Sequence, residues 1–225
     1  MGGLTRAQAP AAPRPAVALE AADLAVTPLA DDGLWEALAL TGRPPEPLRA
    51  RAATLEACHV LGSLAGAHLH ALHVSDTELT DADLANADLQ GAELTRTELR
   101  RSRLTGAQLV EARLRDVLLD GCGLSYAVLA GARLDRVLLR DCDLREASFE
   151  QAWLRDVRFE RCDLTEAAFG QARLDRVELE GCRLAGLRSA ADLRGAALPW
   201  PDLVEHAGLL AAALGIGVLT DDGDA

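Results

Sequence analysis

Residues 112–184 read ARLRDVLLDGCGLSYAVLAGARLDRVLLRDCDLREASFEQAWLRDVRFERCDLTEAAFGQARLDRVELEGCRL. A large apolar residue stands at every fifth position here, and the same frame runs outward without a slip from Leu79 to Leu184, making twenty-two pentapeptides. An interval of five matches neither the 3.6 of a helix nor the 2 of a long strand, so each unit is a very short strand followed by a corner. Two residues before each large residue stands a small one, as in ADLANADLQGAEL at 82–94. Strand alternation points both of them inward and the residue between them outward.

The small position gives the number of sides. It runs Ala112, Val117, Cys122, Ala127, then Ala132, Val137, Cys142, Ala147, then Ala152, Val157, Cys162, Ala167, then Ala172, Val177, Cys182, a period of twenty residues and hence four sides. At an inter-strand spacing of ~4.8 Å, this uninterrupted part makes a rod about 26 Å long. The charges support the register independently. Arg115, Asp135, Arg155 and Asp175 share one site in successive coils and alternate in sign, and Asp116, Arg136, Asp156 and Arg176 alternate oppositely. Such a checkerboard fixes register more than it adds stability. Phe149, Phe159 and Phe169 take the large position in the later coils and are expected to plug the middle of the rod.

Composition agrees with a narrow, repetitive interior. Hydrophobic residues make up 49% of the 225, yet there are only three Phe, three Trp and one Tyr. The formal net charge is −12 and all 23 basic residues are Arg, which disfavours direct binding to nucleic acid. The lack of a long apolar run or a signal architecture gives the expectation of a cytoplasmic protein without membrane contact.

The A-(D/N)-L-x-x consensus resembles that of the pentapeptide-repeat family over about half of the chain. The resemblance implies an all-β fold, a right-handed quadrilateral parallel β-helix, here with a C-terminal capping helix. It also implies no enzymatic activity and no cofactor. Quinolone-resistance and self-immunity members of the family are acidic, dimeric rods that mimic duplex DNA and occupy the DNA groove of gyrase, which makes DNA gyrase the implied protein partner. The rival reading is a scaffold or adaptor that docks some other protein on its flat faces.

Outside the regular repeat the frame slips by one residue between Leu64 and Val60, and the solenoid is expected over residues 48–198. Residues 1–47 read as a partly disordered segment, Ala/Pro-rich at its start, followed by a solenoid cap in which Trp35 covers the first coil. Residues 199–225 read as one helix and a loose acidic tail. Pro201 suits the first turn, Gly215 the stop, and Leu203, Ala207, Leu210 and Leu214 form one apolar face that caps the last coil or pairs with a second copy in a homodimer.

Three residue groups invite chemistry. Cys122, Cys142, Cys162 and Cys182 fall in one inward column, where parallel side chains suit neither a disulfide nor tetrahedral zinc, and packing is the better reading. His68, His70 and His73 form an HxHxxH cluster at outward or corner sites without an evident supporting shell, so no metal is assigned to them. A sensor built on these thiols and imidazoles would need the thiols to be reachable. No nucleophile, phosphate-loop or zinc-protease signature is present, so no catalytic residue is assigned.

Two surface features remain. Asp76, Glu78, Asp81, Asp83, Asp88, Glu93 and Glu98, with Arg96 the one base among them, are either a DNA-like negative face for a basic protein groove or a solubilising end of the rod. Leu118 and Leu138 at outward sites, with Tyr126 and Val128 on the next face, are either a contact patch for a partner or the bed of a covering loop.

Overall fold

The computed structural model describes residues 6–14, 18–188 and 190–217 of the chain. It is a parallel β-solenoid of about nine turns, a right-handed quadrilateral β-helix closed at its C-terminal end by a short helix pair. Five strands of eight residues, Glu93–Arg100, Arg113–Asp120, Arg133–Arg140, Trp153–Glu160 and Arg173–Glu180, each turn through one corner and so serve two sides of a coil. Their register is an offset of twenty, as in Leu114↔Leu134 and Val137↔Val157. The third and fourth sides are held by single bridges at the same offset, such as Gly123↔Asp143 and Val128↔Ser148.

Each pentapeptide turns through a residue in the left-handed region. In the regular coils non-glycine corners run from φ 47° at Arg101 to 60° at Tyr126. This conformation costs an L-residue about 1–2 kcal/mol. Every corner, however, brings an inward leucine or phenylalanine whose burial is worth about 1.5–3 kcal/mol. Its own amide also bonds the next coil, as Glu111 N–H does to Ala130 O at 2.9 Å. Burial plus hydrogen bonding outweighs the corner, and the fold tolerates Arg, Glu and Gln where Gly would be easier.

The core is a stack of leucine columns from Leu55 onward. They leave a narrow, wholly apolar axial cavity of about 30 Å³ lined by Leu and Val from Leu55 to Leu139. The cavity stops where the phenylalanines begin. Phe149 and Phe169, one coil apart on the fourth side, stack at 4.9 Å, and Phe159 meets them edge-on from the second side at 5.8 and 6.3 Å. The expected plug is therefore present, at the C-terminal half of the rod.

The N-terminal boundary needs correction. Parallel stacking begins at Glu20–Asp23, which pairs with Leu38–Thr41, well upstream of residue 48. Trp35 lies in register above Leu55 as the large residue of an early coil, 3% exposed, with its indole N–H donated to Pro28 O at 3.1 Å. It closes the core as an integral coil residue rather than a separate lid. The one-residue slip is a shortened corner, since Val60 pairs with Leu79, an offset of nineteen. A Cβ at Gly62 in that corner would lie 2.5 Å from both Gly42 O and Leu24 Cδ1, so only glycine fits.

The C-terminal end also differs from expectation. A short strand at Ala196–Ala197 closes the last coil. The single expected helix is two, α1 (Trp200–Glu205) and α2 (Ala207–Ala213), broken at His206. The break has a cause on the rod. His206 Nε2 reaches Cys182 O at 2.9 Å and Asp202 accepts Gly181 N–H at 2.5 Å, pinning the chain at two points on the last coil. The residue that packs on the core is Leu209, while Leu203 and Leu214 are 37% and 73% exposed. The face Leu203/Ala207/Leu210/Leu214 is thus not the capping face. Among the described residues no helix is long and apolar enough to cross a membrane. The acidic tail lies outside the described residues.

Two substitutions test this packing by urea unfolding. Phe159→Ala is expected to cost about 3–5 kcal/mol by opening the plug. Gly62→Ala, a gain of one methyl, is expected to cost about 1–3 kcal/mol because backbone must move.

Candidate interaction surface

With twenty residues per coil, the outward residues sort into four sides. In the coil from 113 to 132 the sides centre on Leu114, Val117–Leu119, Leu124 and Leu129, with corners at Asp116, Gly121, Tyr126 and Gly131.

The seven acids expected to form a negative face do not share one. Glu93 is outward on the first side, Glu78 and Glu98 on the second, Asp83 on the third and Asp88 on the fourth, with Asp76 and Asp81 at corners. Residues 76 to 98 are one turn of the rod, so a cluster in sequence becomes a belt in space. The belt is also largely neutralised. Arg96 pairs with Asp76 at 2.5 Å, Arg101 with Asp81 at 2.9 Å, Arg103 with Asp83 at 2.6 Å and Arg100 with Glu98 at 2.6 Å, while Arg113 pairs with Glu93. Asp88 takes His70 at 2.7 Å. Guanidinium bonds hold the Asp76, Asp81 and Asp83 carboxyls below the usual range.

The apolar patch is likewise dispersed. Leu118 and Leu138 are stacked neighbours on the second side, Tyr126 stands 57% exposed at the corner between third and fourth, and Val128 is on the fourth, across the rod from the leucines. Leu138 is only 9% exposed although it points outward.

The same side carries a segment expected to be unstructured. Residues 7–14 run along the second side as a strap, against the direction of coil growth. Ala7 N–H donates to Glu178 Oε1 at 2.7 Å and its carbonyl accepts from Arg158 Nη2 at 3.2 Å. Gln8 N–H donates to Asp156 Oδ1 at 3.3 Å, Ala11 N–H to Asp116 Oδ1 at 3.2 Å and Arg14 N–H to Asp76 Oδ1 at 3.0 Å. The path from Glu178 to Asp76 passes Leu138 and Leu118. Ala7 itself is buried, and Asp116 and Asp156, though at corners, are only 9% and 3% exposed. Residues 1–5 and 15–17 lie outside the described residues.

The checkerboard supplies these acceptors. Asp116 takes Arg136 Nε and Nη2 at 2.7 Å each, and Asp156 takes Arg176 at 2.7 and 2.8 Å, fork against carboxylate. In Asp76, Asp116 and Asp156 alike, Oδ1 accepts both the arginine Nε of the next coil and a strap amide. The bond from Arg136 or Arg176 holds each of the latter two carboxyls below its ordinary 3.8 against the effect of burial, and the strap amide adds to the lowering.

The cysteine column is a packing device. Sγ of Cys122, Cys142, Cys162 and Cys182 each meets a carbonyl of the preceding coil, at 3.3, 3.5, 3.4 and 3.4 Å, the bond that Ser102 makes to Leu79 O at 3.2 Å in the same column. All five cysteines are free and buried. Hydrogen bonding to Cys142 and burial raise the Cys122 thiol. Cys142 and Cys162 are drawn down by the thiol before each, but the thiol behind and burial push both up to about 12. Such thiols are poor nucleophiles at neutral pH.

The histidines do not converge. His68 and His70 share Asp88, with candidate ligand atoms within 4.8 Å of one another, whereas His73 turns to Glu93 at 3.7 Å on another side. Arg49 and Arg51 pair in register with His68 and His70, so the shallow depression beside the two histidines is lined by two arginines against one acid, Asp31. That charge opposes metal binding.

Among the exposed apolar residues not anticipated from sequence is one on the regular coils. Trp153, 48% exposed, lies on the first side between Arg133 and Arg173 in register. Its neighbours make this side the most basic of the four. The signal was present, since Trp153 occupies an outward position of the frame.

Comparison with known proteins agrees with this architecture. Residues 92–169 match a family profile described as a pentapeptide repeat region, and residues 63–101 match one for pentapeptide repeats in eight copies. Residues 63–169 are thus a pentapeptide-repeat region. No curated protein matches it significantly in sequence. Similar solved structures include a trypsin-treated form of QnrB1, a plasmid-mediated fluoroquinolone resistance protein. It is 18% identical, over 85% of this chain and 100% of that one, with a TM-score of 0.46. HetL of the cyanobacterium Nostoc sp. strain PCC 7120, involved in heterocyst differentiation regulation, is 25% identical over 76% and 91%, with a TM-score of 0.37. A pentapeptide repeat protein of the Arabidopsis thaliana thylakoid lumen is 19% identical over 60% and 85%, with a TM-score of 0.29.

The strapped column has a defined pH dependence. Because the Asp76, Asp116 and Asp156 carboxyls titrate below 3.8 in the folded chain, their stabilisation is complete above that pH and lost as pH falls through the lowered value. Asp156→Asn is expected to cost about 1–3 kcal/mol at pH 7, moderated by the partial solvation of Arg176, and to flatten the acid limb of stability against pH. Urea midpoints from pH 7 down to 2 check both.

Proposed function

We propose that this chain is a non-catalytic protein-binding rod, a scaffold or adaptor whose outward columns carry its function. The observation that carries the reading is the pairing of carboxylates with arginines of the adjacent coil on three sides of the rod, as in Arg113–Glu93, Arg140–Glu160 and Arg103–Asp83, with Asp88 taking His70 on the fourth, which leaves chemically distinct faces. Nine coils span roughly 43 Å, a length over which duplex DNA bears about 25 negative charges. The whole chain carries a net −12. A flat, rigid surface whose carboxylates in the regular coils are largely tied to arginines suits docking of a folded or extended protein segment better than substitution for DNA.

Two features of the sequence expectation belong to this proposal. A cytoplasmic location is supported by five unpaired thiols. A homodimer through the C-terminal end is supported by the apolar side chains of Trp200, Val204 and Leu214, 73%, 58% and 73% exposed.

The second reading is a DNA mimic that binds DNA gyrase and modulates or protects it, in quinolone resistance or toxin self-immunity. The net charge of −12 favours it. A gyrase supercoiling assay, titrated with this chain with and without a fluoroquinolone, separates the two. The scaffold reading expects no effect at micromolar protein. Inhibition or protection that weakens when Asp81→Asn, Asp83→Asn, Asp88→Asn and Glu93→Gln are combined would overturn it in favour of mimicry.

A further inference from the structure

The strap bonds follow a rule. The strap residues that donate to the aspartate column are Gln8, Ala11 and Arg14, one in three, and the acceptors are Asp156, Asp116 and Asp76, one coil in two. The intervening coils present Arg136 and Arg96 at the same corner. Two coils rise about 9.6 Å. Three residues of polyproline II rise about 9.3 Å and complete one turn. The alternation of aspartate and arginine therefore sets an acceptor spacing that a polyproline II segment matches residue for residue.

The strap sequence conforms to this rule. Pro10 and Pro13, which have no N–H, immediately precede the donors Ala11 and Arg14. They fall where no amide is needed and fix φ near the polyproline II value. Ala7, Ala9, Ala11 and Ala12 keep the segment thin enough to lie close to the side, and Ala7 is buried with both its backbone groups bonded, to Glu178 and Arg158. On this side the outward column runs Glu98, Leu118, Leu138, Arg158, Glu178, so two adjacent coils in its middle supply an apolar floor between charged ends. An apolar floor with polar groups at a fixed interval along one edge has the form of a peptide groove.

We propose that the second side of the rod is a binding groove for proline-spaced, extended peptide segments of a partner protein, with residues 7–14 as its tethered occupant. The seated strap shows which chemistry fits: small residues, a proline every third position, and free amides at the position after each proline. A partner segment of that pattern takes the strap's place, so the strap raises the concentration of partner needed. This deepens the reading of the chain as a protein-binding rod. It is separable from that reading, because the gyrase assay is blind to the groove and the test below is blind to gyrase.

The test uses the full chain with a specific protease site introduced at residues 15–17 and cut after folding. The probe is a fluorescent peptide of residues 7–14. Saturable anisotropy is expected with the cut chain and is expected to be at least about tenfold weaker with the uncut chain, where the tethered copy competes. A peptide carrying Pro10→Gly and Pro13→Gly, or a cut chain carrying Asp116→Asn and Asp156→Asn, is expected to lose about tenfold or more in affinity, as for removal of bonds to a charged acceptor. Circular dichroism confirms that each chain remains β-helical. In the unmodified chain, excess unlabelled peptide is expected to accelerate tryptic cleavage after Arg6 by displacing the strap. The proposal is overturned by absence of saturable binding to a folded cut chain at millimolar peptide, by affinity indifferent to the prolines, or by unchanged cleavage after Arg6.

Discussion

Everything in this molecule depends on closure of the coil in twenty residues. Four corners, each with one residue at positive φ, return the chain so that residue i + 20 lies on residue i, as Leu114 on Leu134 and Val137 on Val157. The corner conformation is unfavourable for most residues that adopt it, and inward burial with inter-coil hydrogen bonding offsets it at every step. Once closure is imposed, a position in the repeat becomes a column on the rod. Composition of a column, rather than composition of a segment, decides what each side can do.

The same closure gives charge alternation its consequence. A sign change between successive coils at the Asp76/Arg96/Asp116/Arg136/Asp156/Arg176 corner pairs each carboxylate with a guanidinium and at the same time spaces the carboxylates two coils apart. The first effect fixes register. The second produces a ladder of acceptors that a three-residue periodic chain can follow, and the first fourteen residues contain such a chain. Stability of the rod and recognition along its second side thus arise from one pattern.

The regular solenoid was legible because its signal is local and repeated. Leu79 to Leu184 fixed the interval, the small residues fixed the number of sides, and the Cys122 to Cys182 column and the Arg115/Asp116 checkerboard lie where the interval puts them. The first coils were obscure because Trp35 replaces leucine and Gly62 marks a shortened corner, so the apolar frame is broken while the stacking continues. The strap was obscure for a different reason: its partners are side-chain carboxylates 62 to 171 residues away, from Asp76 to Glu178, and no local propensity reports such bonds. Asp76 to Glu98 spans a full turn, so the interval of twenty already distributes those acids around the rod, and it puts Val128 opposite Leu118. The break at His206 lies between two tethers to the last coil, Asp202 to Gly181 N–H and His206 to Cys182 O, which sequence does not display.

Amide hydrogen exchange of residues 7–14 tests most directly the claim that the repeat's two-coil alternation organises an extended chain on the second side. The account predicts a pattern with a period of three, in which the amides of Gln8, Ala11 and Arg14, with Ala7 at the end, exchange more slowly than those of Ala9 and Ala12. It also predicts that neutralising Asp116 removes protection at Ala11 first. Uniformly fast exchange across the segment, with the solenoid amides fully protected, would contradict it.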